Sequence, residues 1–324
     1  MHRYKFILQF LIIIIIFGAI NSSAILFAAA KEEEITKEII LNKISLATQW
    51  LTEQQRPDGS WPIVTQDKHS SVVATGLFGL GTSLPTPDIK KALSFLLTHQ
   101  HNEGYWEDTS VFPWNKVEST TAALYGLIST SNEGRAVEKG INWLIKNQNT
   151  NGSWNDDCWD TSWALYLLFC CDYQTSNPII IKSASQWLVN DQRDDGSWKT
   201  NLPNLKQFEP LWTTPPVIFT LAQTGQHQET IIKGLKYLKN QQNKNGSFGR
   251  KDASKTGLAL LAFSSLSKYS HLTEEYGLSA ERAVQWFLLN QRTNGTWPGG
   301  FHPFDIIDTA FSIWGLQKFL KTFK

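Results

Sequence analysis

The chain has 324 residues, 41% of them hydrophobic and 12% aromatic, and its formal net charge at pH 7 is +1. A near-neutral chain without a basic stripe gives no support to nucleic acid binding. The three cysteines, Cys158, Cys170 and Cys171, are odd in number and include an adjacent pair, so no disulfide framework is predicted. Cys170 and Cys171 fall late in an apolar stretch and are expected to be small core residues.

The first 30 residues predict a targeting segment. A basic start at Met1–Lys5 precedes an apolar run from Phe6 to Ile20, and three alanines precede Lys31. This order is typical of a cleaved signal peptide. The alternative is an uncleaved membrane anchor, because residues 6–30 are long enough to span a bilayer. Either way, residues 31–324 are expected to work outside the cytoplasm, as a secreted, periplasmic or membrane-anchored domain.

Six copies of one short pattern follow. Each copy has an aromatic residue that ends a helical stretch, a glutamine five residues later, and then an Asp-Gly, Asn-Gly or Glu-Gly turn closed by an aromatic ring. The opening aromatic residues lie 44 to 50 residues apart: Trp50, Phe95, Trp143, Trp187, Tyr237 and Trp286. The closing rings are Trp61, Trp106, Trp154, Trp198, Phe248 and Trp297. A recurrence near this period marks a repeat architecture whose units bury their faces against neighbours.

Each copy predicts a pair of helices joined by a tight turn. The glycine of the turn tolerates positive φ and so reverses the chain. The second helix of each pair is more apolar than the first, for example at residues 161–168 and 309–316, and helices that are apolar nearly all round are buried. Each repeat therefore supplies one outer and one inner helix, and six pairs are enough to close a ring.

These Gln…Gly-Ser-Trp units resemble the QW repeats of squalene–hopene cyclases, oxidosqualene cyclases and class II diterpene cyclases. They are also similar to the repeats of protein prenyltransferase β-subunits. The resemblance extends from Lys37 to Lys321. It implies an all-α fold, an (α/α)6 barrel in which six inner helices stand inside six outer ones. The repeats themselves do no chemistry, so function requires a separate argument.

Two inner helices begin with a pair of acids in the pattern Asp-x-x-Asp-Thr-small. Repeat three carries Asp157 and Asp160, and repeat six carries Asp305 and Asp308. The two repeats are half a ring apart, so these acids are expected to face each other across one mouth of the barrel. Capping of the helix is the structural role that suits Asp160 and Asp308, whereas Asp157 and Asp305 lie three residues earlier, where a solvated loop acid is the alternative.

The resemblance adds a catalytic role for these acids. Class II terpene cyclases carry Asp-x-Asp-Asp-Thr-Ala at this kind of position, and the central Asp protonates an alkene or an epoxide. Aligned on Asp160, the motif places Asp157 at its first Asp and Trp159 where the proton donor stands. Ile307 takes that place in repeat six. The chain thus retains an acid pair in each motif and lacks the donor itself.

The prenyltransferase branch binds zinc through Asp-x-Cys and a later His, and Asp156–Asp157–Cys158–Trp159 is similar to the first part of this ligand set. Asp308 stands where that branch has a histidine, half a ring from Cys158 and too far to share a metal. We therefore expect neither a metal nor another cofactor. The thioester signature of complement-like barrels is also absent.

Aromatic residues on or beside the inner helices could line an apolar cavity and stabilise a carbocation through their faces, or they could simply fill the core. The candidate ligand-contacting residues are Trp159, Trp163, Tyr166, Trp212, Phe311 and Trp314. Together with the acids they predict a class II cyclase or isomerase for a polyisoprenoid. The alternatives are a non-catalytic barrel that binds an apolar small molecule or a partner protein, and a carboxylate-dependent hydrolase.

Overall fold

The fold is a set of helix pairs in chain order. A computed structural model of the chain describes residues 35–79, 86–112, 114–130, 134–171, 177–202, 209–299 and 305–322. The predicted leader, residues 1–30, lies outside the described residues. The outer helices are α1 (Lys37–Glu53), α2 (Thr86–Thr98), α4 (Arg135–Lys146), α6 (Pro178–Asn190), α8 (Gln228–Gln241) and α10 (Ser270–Asn290). The inner elements are a π-helix, π1 (Ala74–Gly79), then α3 (Lys116–Ser129), α5 (Cys158–Cys170), α7 (Pro210–Thr224), α9 (Ala253–Ser264) and α11 (Asp305–Leu320).

The inner elements form a closed ring. Each packs against the next one along the chain, and α11 returns to pack against both π1 and α1. In α5 every residue from Cys158 to Leu168 is buried, which agrees with its apolar sequence. The predicted (α/α)6 barrel is confirmed. None of the helices in the described ranges is long and apolar enough to cross a membrane.

The glutamine of each repeat fastens one repeat to the next. The Nε2 group of Gln148 donates to the Gly152 carbonyl at 2.8 Å and to the Ile180 carbonyl, in the first turn of α6, at 3.2 Å. Gln291 of repeat six closes the ring in the same way, because it donates to the Lys43 carbonyl of α1 at 2.8 Å. The glutamines of the repeat pattern therefore form hydrogen bonds between neighbouring repeats.

The closing aromatic ring fastens the outer helix to the inner one. Trp154 is fully buried; its indole N–H donates to the Leu144 carbonyl at 2.8 Å and its backbone N–H donates to the Thr161 hydroxyl of α5 at 2.9 Å. Four other repeats, with Trp61, Trp106, Trp198 and Phe248, make the same backbone bond to an inner-helix threonine. This threonine gives a common register for comparing the repeats.

Replacing Gly152 by alanine is expected to lower the free energy of unfolding by about 2–4 kcal/mol. Its φ is 94°, and an added Cβ would lie 2.5 Å from the Ser183 carbonyl, so backbone strain and a backbone clash add together. The control is Gly225→Ala, because Gly225 also has a positive φ, 69°, but nothing lies within 4 Å of its Cβ position. Urea unfolding measures both changes. Equal losses in the two variants would contradict the close approach of neighbouring repeats.

Two of the cysteines differ from expectation. Cys170 is exposed and Cys171 is half-buried. The core placement predicted for them is wrong, because α5 ends at Cys170 and its last turn emerges from the packed region. Cys158, at the other end of α5, is buried.

Candidate functional site

Asp157 caps α5. Its Oδ1 accepts from the backbone N–H of Trp159 at 2.8 Å and of Asp160 at 3.3 Å. Its Oδ2 accepts from the Thr200 hydroxyl and the Asn201 backbone N–H, both at 2.7 Å. Asp157 is completely buried, so it is not a solvated loop acid, and the expectation that Asp160 caps this helix is wrong. The cap lies three residues earlier and also holds the chain that leads toward α7.

Asp160 lies in the first turn of α5 and is buried. Its Oδ2 accepts from the side-chain amides of Asn115 at 2.9 Å and Asn155 at 2.7 Å. Its Oδ1 has no hydrogen-bond partner among the described residues. Burial, reinforced by the nearby Asp157 carboxylate, raises the pKa of Asp160 to about 8. At neutral pH this carboxyl therefore holds its proton.

The sequence analysis missed the second acid of the site, Glu118, which lies in the first turn of α3. It forms a capping box with Asn115: Oε2 accepts from the Asn115 backbone N–H at 2.9 Å, and the Glu118 backbone N–H donates to Asn115 Oδ1 at 3.0 Å. Burial first, and then repulsion from Asp160, raise the pKa of Glu118 well above its ordinary value. Asn115 thus touches both acids, one through its backbone and the other through its amide.

The register of the repeats could have found Glu118. In repeats one to three, the threonine that bonds the closing ring is Thr75, Thr120 and Thr161. The residue two positions earlier is Val73, Glu118 or Trp159, and all three side chains line one cavity. The position that corresponds to the proton donor in the motif of class II terpene cyclases is thus occupied by Trp159 in repeat three and by Glu118 in repeat two.

The cavity between π1, α3, α5 and Phe311 of α11 has a volume of about 30 Å³. This is room for about two water molecules, so a larger ligand requires the lining side chains to move apart. Four of the six predicted ligand-contacting residues line it: Trp159, Trp163, Tyr166 and Phe311. Trp114, Glu118 and Tyr125 also line it. The acid thus lies in the wall of an aromatic cavity.

The other two predicted aromatic residues lie behind this lining. Trp314 of α11 stacks on Trp163 with ring centroids 5.4 Å apart, so α5 and α11 do face each other across the barrel. The ring centroids of Trp212 and Phe311 are 6.4 Å apart, and the two rings meet edge to face. These two rings support the cavity wall and are not part of its lining.

Asp305 and Asp308 form a separate group beside α9. Asp308 is buried and accepts from the Ser254 hydroxyl, and burial, together with repulsion from Asp252, raises its pKa to about 8. It is the fourth residue of α11, so the expectation that it caps this helix is wrong. Asp305 begins α11 and pairs with Arg292 at 3.2 Å, so it is not simply a solvated loop acid. Neither acid lines the cavity.

Cys158 lies next to Asp157 at the start of α5. Burial, and then the charge of Asp157, raise the pKa of its thiol well above the ordinary value. Metal ligation and nucleophilic attack both need the thiolate, which this environment disfavours. Within the described ranges, no group of three or more His, Cys, Asp or Glu side chains could hold a metal ion.

Asp160→Asn is expected to change how stability depends on pH. Because the folded-state pKa of Asp160 is raised, the folded protein keeps a proton that the unfolded chain loses above about pH 4. Stability therefore falls as pH rises from about 4 to about 8, by up to about 1.4 kcal/mol per pH unit for this group. Asparagine mimics the protonated acid, so the free energy of unfolding of the variant should not show this decrease with pH. At pH 8 the variant should be more stable than wild type. Urea unfolding at several pH values tests this; parallel curves would contradict the raised pKa.

Comparison with known proteins agrees with this fold. The family model of the squalene-hopene cyclase C-terminal domain matches residues 42–159, a segment that includes Glu118 and Asp157. The squalene–hopene cyclase of Zymomonas mobilis is 31% identical over 129 residues, which are 36% of this chain and 20% of that protein. The resemblance to squalene–hopene cyclases is confirmed. The matched segment is thus only a small part of that relative's length.

Solved structures extend the likeness to nearly the whole barrel. The type II terpene cyclase MstE from Scytonema has a TM-score of 0.69 and 15% identity, covering 89% of this chain and 100% of that chain. A variant of MstE has been solved with its substrate, geranylgeranyl dihydroxybenzoate. A glycosyl hydrolase family 88 protein from Bacteroides vulgatus has a TM-score of 0.64 and 9% identity, covering 89% and 100%. At such identities these likenesses show the fold alone.

Proposed function

We propose that this protein is a class II cyclase-like enzyme that protonates a polyisoprenoid and thereby cyclises or isomerises it. The observation that carries the proposal is the position of Glu118. It is a buried carboxyl whose pKa is raised well above its ordinary value, it has one oxygen without a partner among the described residues, and it lies in the wall of an aromatic cavity. A general acid must be protonated at the working pH and must reach the reacting atom.

The proposed step breaks the O–H bond of Glu118 and forms a C–H bond at one carbon of a substrate double bond. The other carbon becomes a cation, which the faces of Trp159 and Trp163 stabilise. Ring closure or a shift of the cation follows, and loss of a neighbouring proton to the carboxylate restores Glu118. The net reaction is an isomerisation, so no oxidant or co-reactant is needed.

Asp160 would keep Glu118 protonated until it transfers its proton. Two carboxyl groups this close disfavour double ionisation, so one proton is retained by the pair while the other is transferred. Asn115 holds both acids in place, and Asp157 fixes the start of the helix that carries Asp160. Asp157 is in this proposal a positioning residue, which acts through Asp160.

Asp308 is the second candidate for the acid, with Asp305 as its neighbour. Like Asp160, it is buried and has a raised pKa, but its carboxylate accepts from a polar side chain, Ser254 of α9. We rank it below Glu118 because it does not line the cavity.

We also propose that the barrel works outside the cytoplasm, because the first 30 residues have the sequence pattern of a signal peptide or membrane anchor.

The test is an incubation of purified protein with farnesol, geranylgeraniol and squalene, followed by gas chromatography and mass spectrometry. The proposal expects a new product with the mass of its substrate. Recovery of an unchanged lipid from the protein, without any product, would favour the binding barrel. Sugar release from a glycan panel would favour the hydrolase, for which the glycosyl hydrolase likeness offers only the shared fold.

A further inference from the structure

Two of the tryptophans that line the cavity have an indole N–H without a partner among the described residues. The Nε1 atoms of Trp114 and Trp163 are buried, and neither has a hydrogen-bond acceptor among the described residues. Both side chains line the cavity, and Trp163 is only 8% exposed. An indole nitrogen can only donate, and buried tryptophans usually find an acceptor. Among the described residues, Trp286 and Trp314 also have a buried indole N–H without a partner, but only Trp114 and Trp163 combine this with a place in the cavity lining.

The repeat tryptophans show what this chain does with indoles that serve the fold. Trp61, Trp106, Trp154, Trp198 and Trp297 each donate to a carbonyl ten residues earlier at 2.7–2.8 Å. Trp114 and Trp163 stand outside that pattern. Leaving a donor unpaired in a buried site is unfavourable unless another group fills the need, and a ligand in the cavity that these two side chains line would be such a group.

The same cavity restricts the charge of what it takes. Among the described residues that line it, none is lysine, arginine or histidine, and the titratable side chains are Glu118, Tyr125 and Tyr166. Lys318 donates to the Tyr166 hydroxyl at 3.4 Å but is not part of the lining. An anionic group inside would therefore lack a counter-charge in the cavity wall, which is unfavourable. The acceptor that meets the two indoles must therefore be an uncharged oxygen.

We infer that Trp114 and Trp163 form a hydrogen-bonding subsite for an uncharged oxygen of the ligand. The preferred ligand is then an isoprenoid that carries a ketone, ether or epoxide oxygen, in preference to a pure hydrocarbon or a diphosphate. The inference rests on the proposed function in taking the ligand to be an isoprenoid. The inference adds the two residues that would select this ligand and orient it beside Glu118.

The test compares two ligands of the same shape in a binding assay. Farnesylacetone supplies an uncharged ketone on an isoprenoid chain, and its analogue with a methylene in place of the carbonyl supplies the hydrocarbon. Equilibrium dialysis with the radiolabelled compounds measures both dissociation constants. The wild type is expected to bind the ketone about threefold to tenfold more tightly, as one or two neutral hydrogen bonds would give.

The variants Trp114→Phe and Trp163→Phe remove the N–H and keep an aromatic ring. Each should reduce the preference for the ketone about threefold and change hydrocarbon binding much less; if one variant does not fold, the other carries the test. Trp286→Phe is the matched control. Its indole N–H is also buried and without a partner among the described residues, but it lies on outer helix α10, outside the cavity lining. It should keep the wild-type preference.

Three results would overturn the inference: equal binding of the two ligands by wild type, no binding of either, or a preference that survives both tryptophan substitutions. The first would mean that trapped water satisfies the indoles. Since binding needs no turnover, a ketone preference without any product would refute the proposed enzyme and leave the subsite intact. Product formation without a ketone preference would refute only the subsite.

Discussion

Replacing Glu118 by glutamine is expected to lower the turnover of a polyisoprenoid by about a hundredfold or more, the usual range for loss of a general acid. Glutamine keeps an oxygen that can accept from the Asn115 backbone N–H, so the capping box and the fold should survive. It cannot supply a proton of comparable acidity. The measurement is the initial rate of product formation, with the melting temperature recorded for each variant.

Two further variants make this result specific. Glu138→Gln changes an exposed glutamate on outer helix α4 and should leave the rate unchanged. Asp308→Asn changes another buried acid whose pKa is also raised, but which does not line the cavity. Loss of turnover in Asp308→Asn together with full activity in Glu118→Gln would move the acid to the opposite wall and contradict our assignment.

Replacing Trp154 by alanine is expected to destabilise the barrel by about 3–5 kcal/mol. Trp154 is fully buried, so the change leaves a large cavity between α4 and α5. It also leaves the Leu144 carbonyl without its indole donor. Urea unfolding of the purified variant measures the loss.

The sequence of repeat five provides the control for this prediction. There Phe248 fills the same place with a ring that has no N–H, and it is also fully buried. Trp154→Phe should therefore retain most of the packing and lose roughly the 0.5–1.5 kcal/mol of one hydrogen bond. If Trp154→Ala unfolds at the same urea concentration as wild type, the closing ring does not hold the repeat together.

The fold could be predicted because the residues that form the turn of each repeat lie close together in the sequence. The glycine that permits positive φ, the glutamine and the closing ring all lie within about a dozen residues, and the same set recurs six times. Local signals of this kind need no knowledge of distant contacts. The number of repeats predicts ring closure, and in the structure Gln291 of repeat six closes the ring by donating to the Lys43 carbonyl of repeat one.

The site was predicted only in part, because it depends on which helices become neighbours. Asp157 and Asp160 were found from their spacing, but the choice of cap was wrong, since one carboxylate reaches two backbone N–H groups only from Asp157. Glu118 was missed because its role depends on Asp160, which lies 42 residues later in sequence. No pattern within a single repeat shows that Asn115 joins the two acids.

The most direct test of the central claim is to run the reaction in heavy water. Carboxyl protons exchange with solvent, so a product formed by protonation from Glu118 should carry one deuterium per molecule at the carbon that was protonated. Mass spectrometry and NMR of the product give the number and position of the label. One deuterium in the wild-type product, with no product above background from Glu118→Gln, is the predicted result; a rearranged product free of deuterium would contradict acid catalysis at this site.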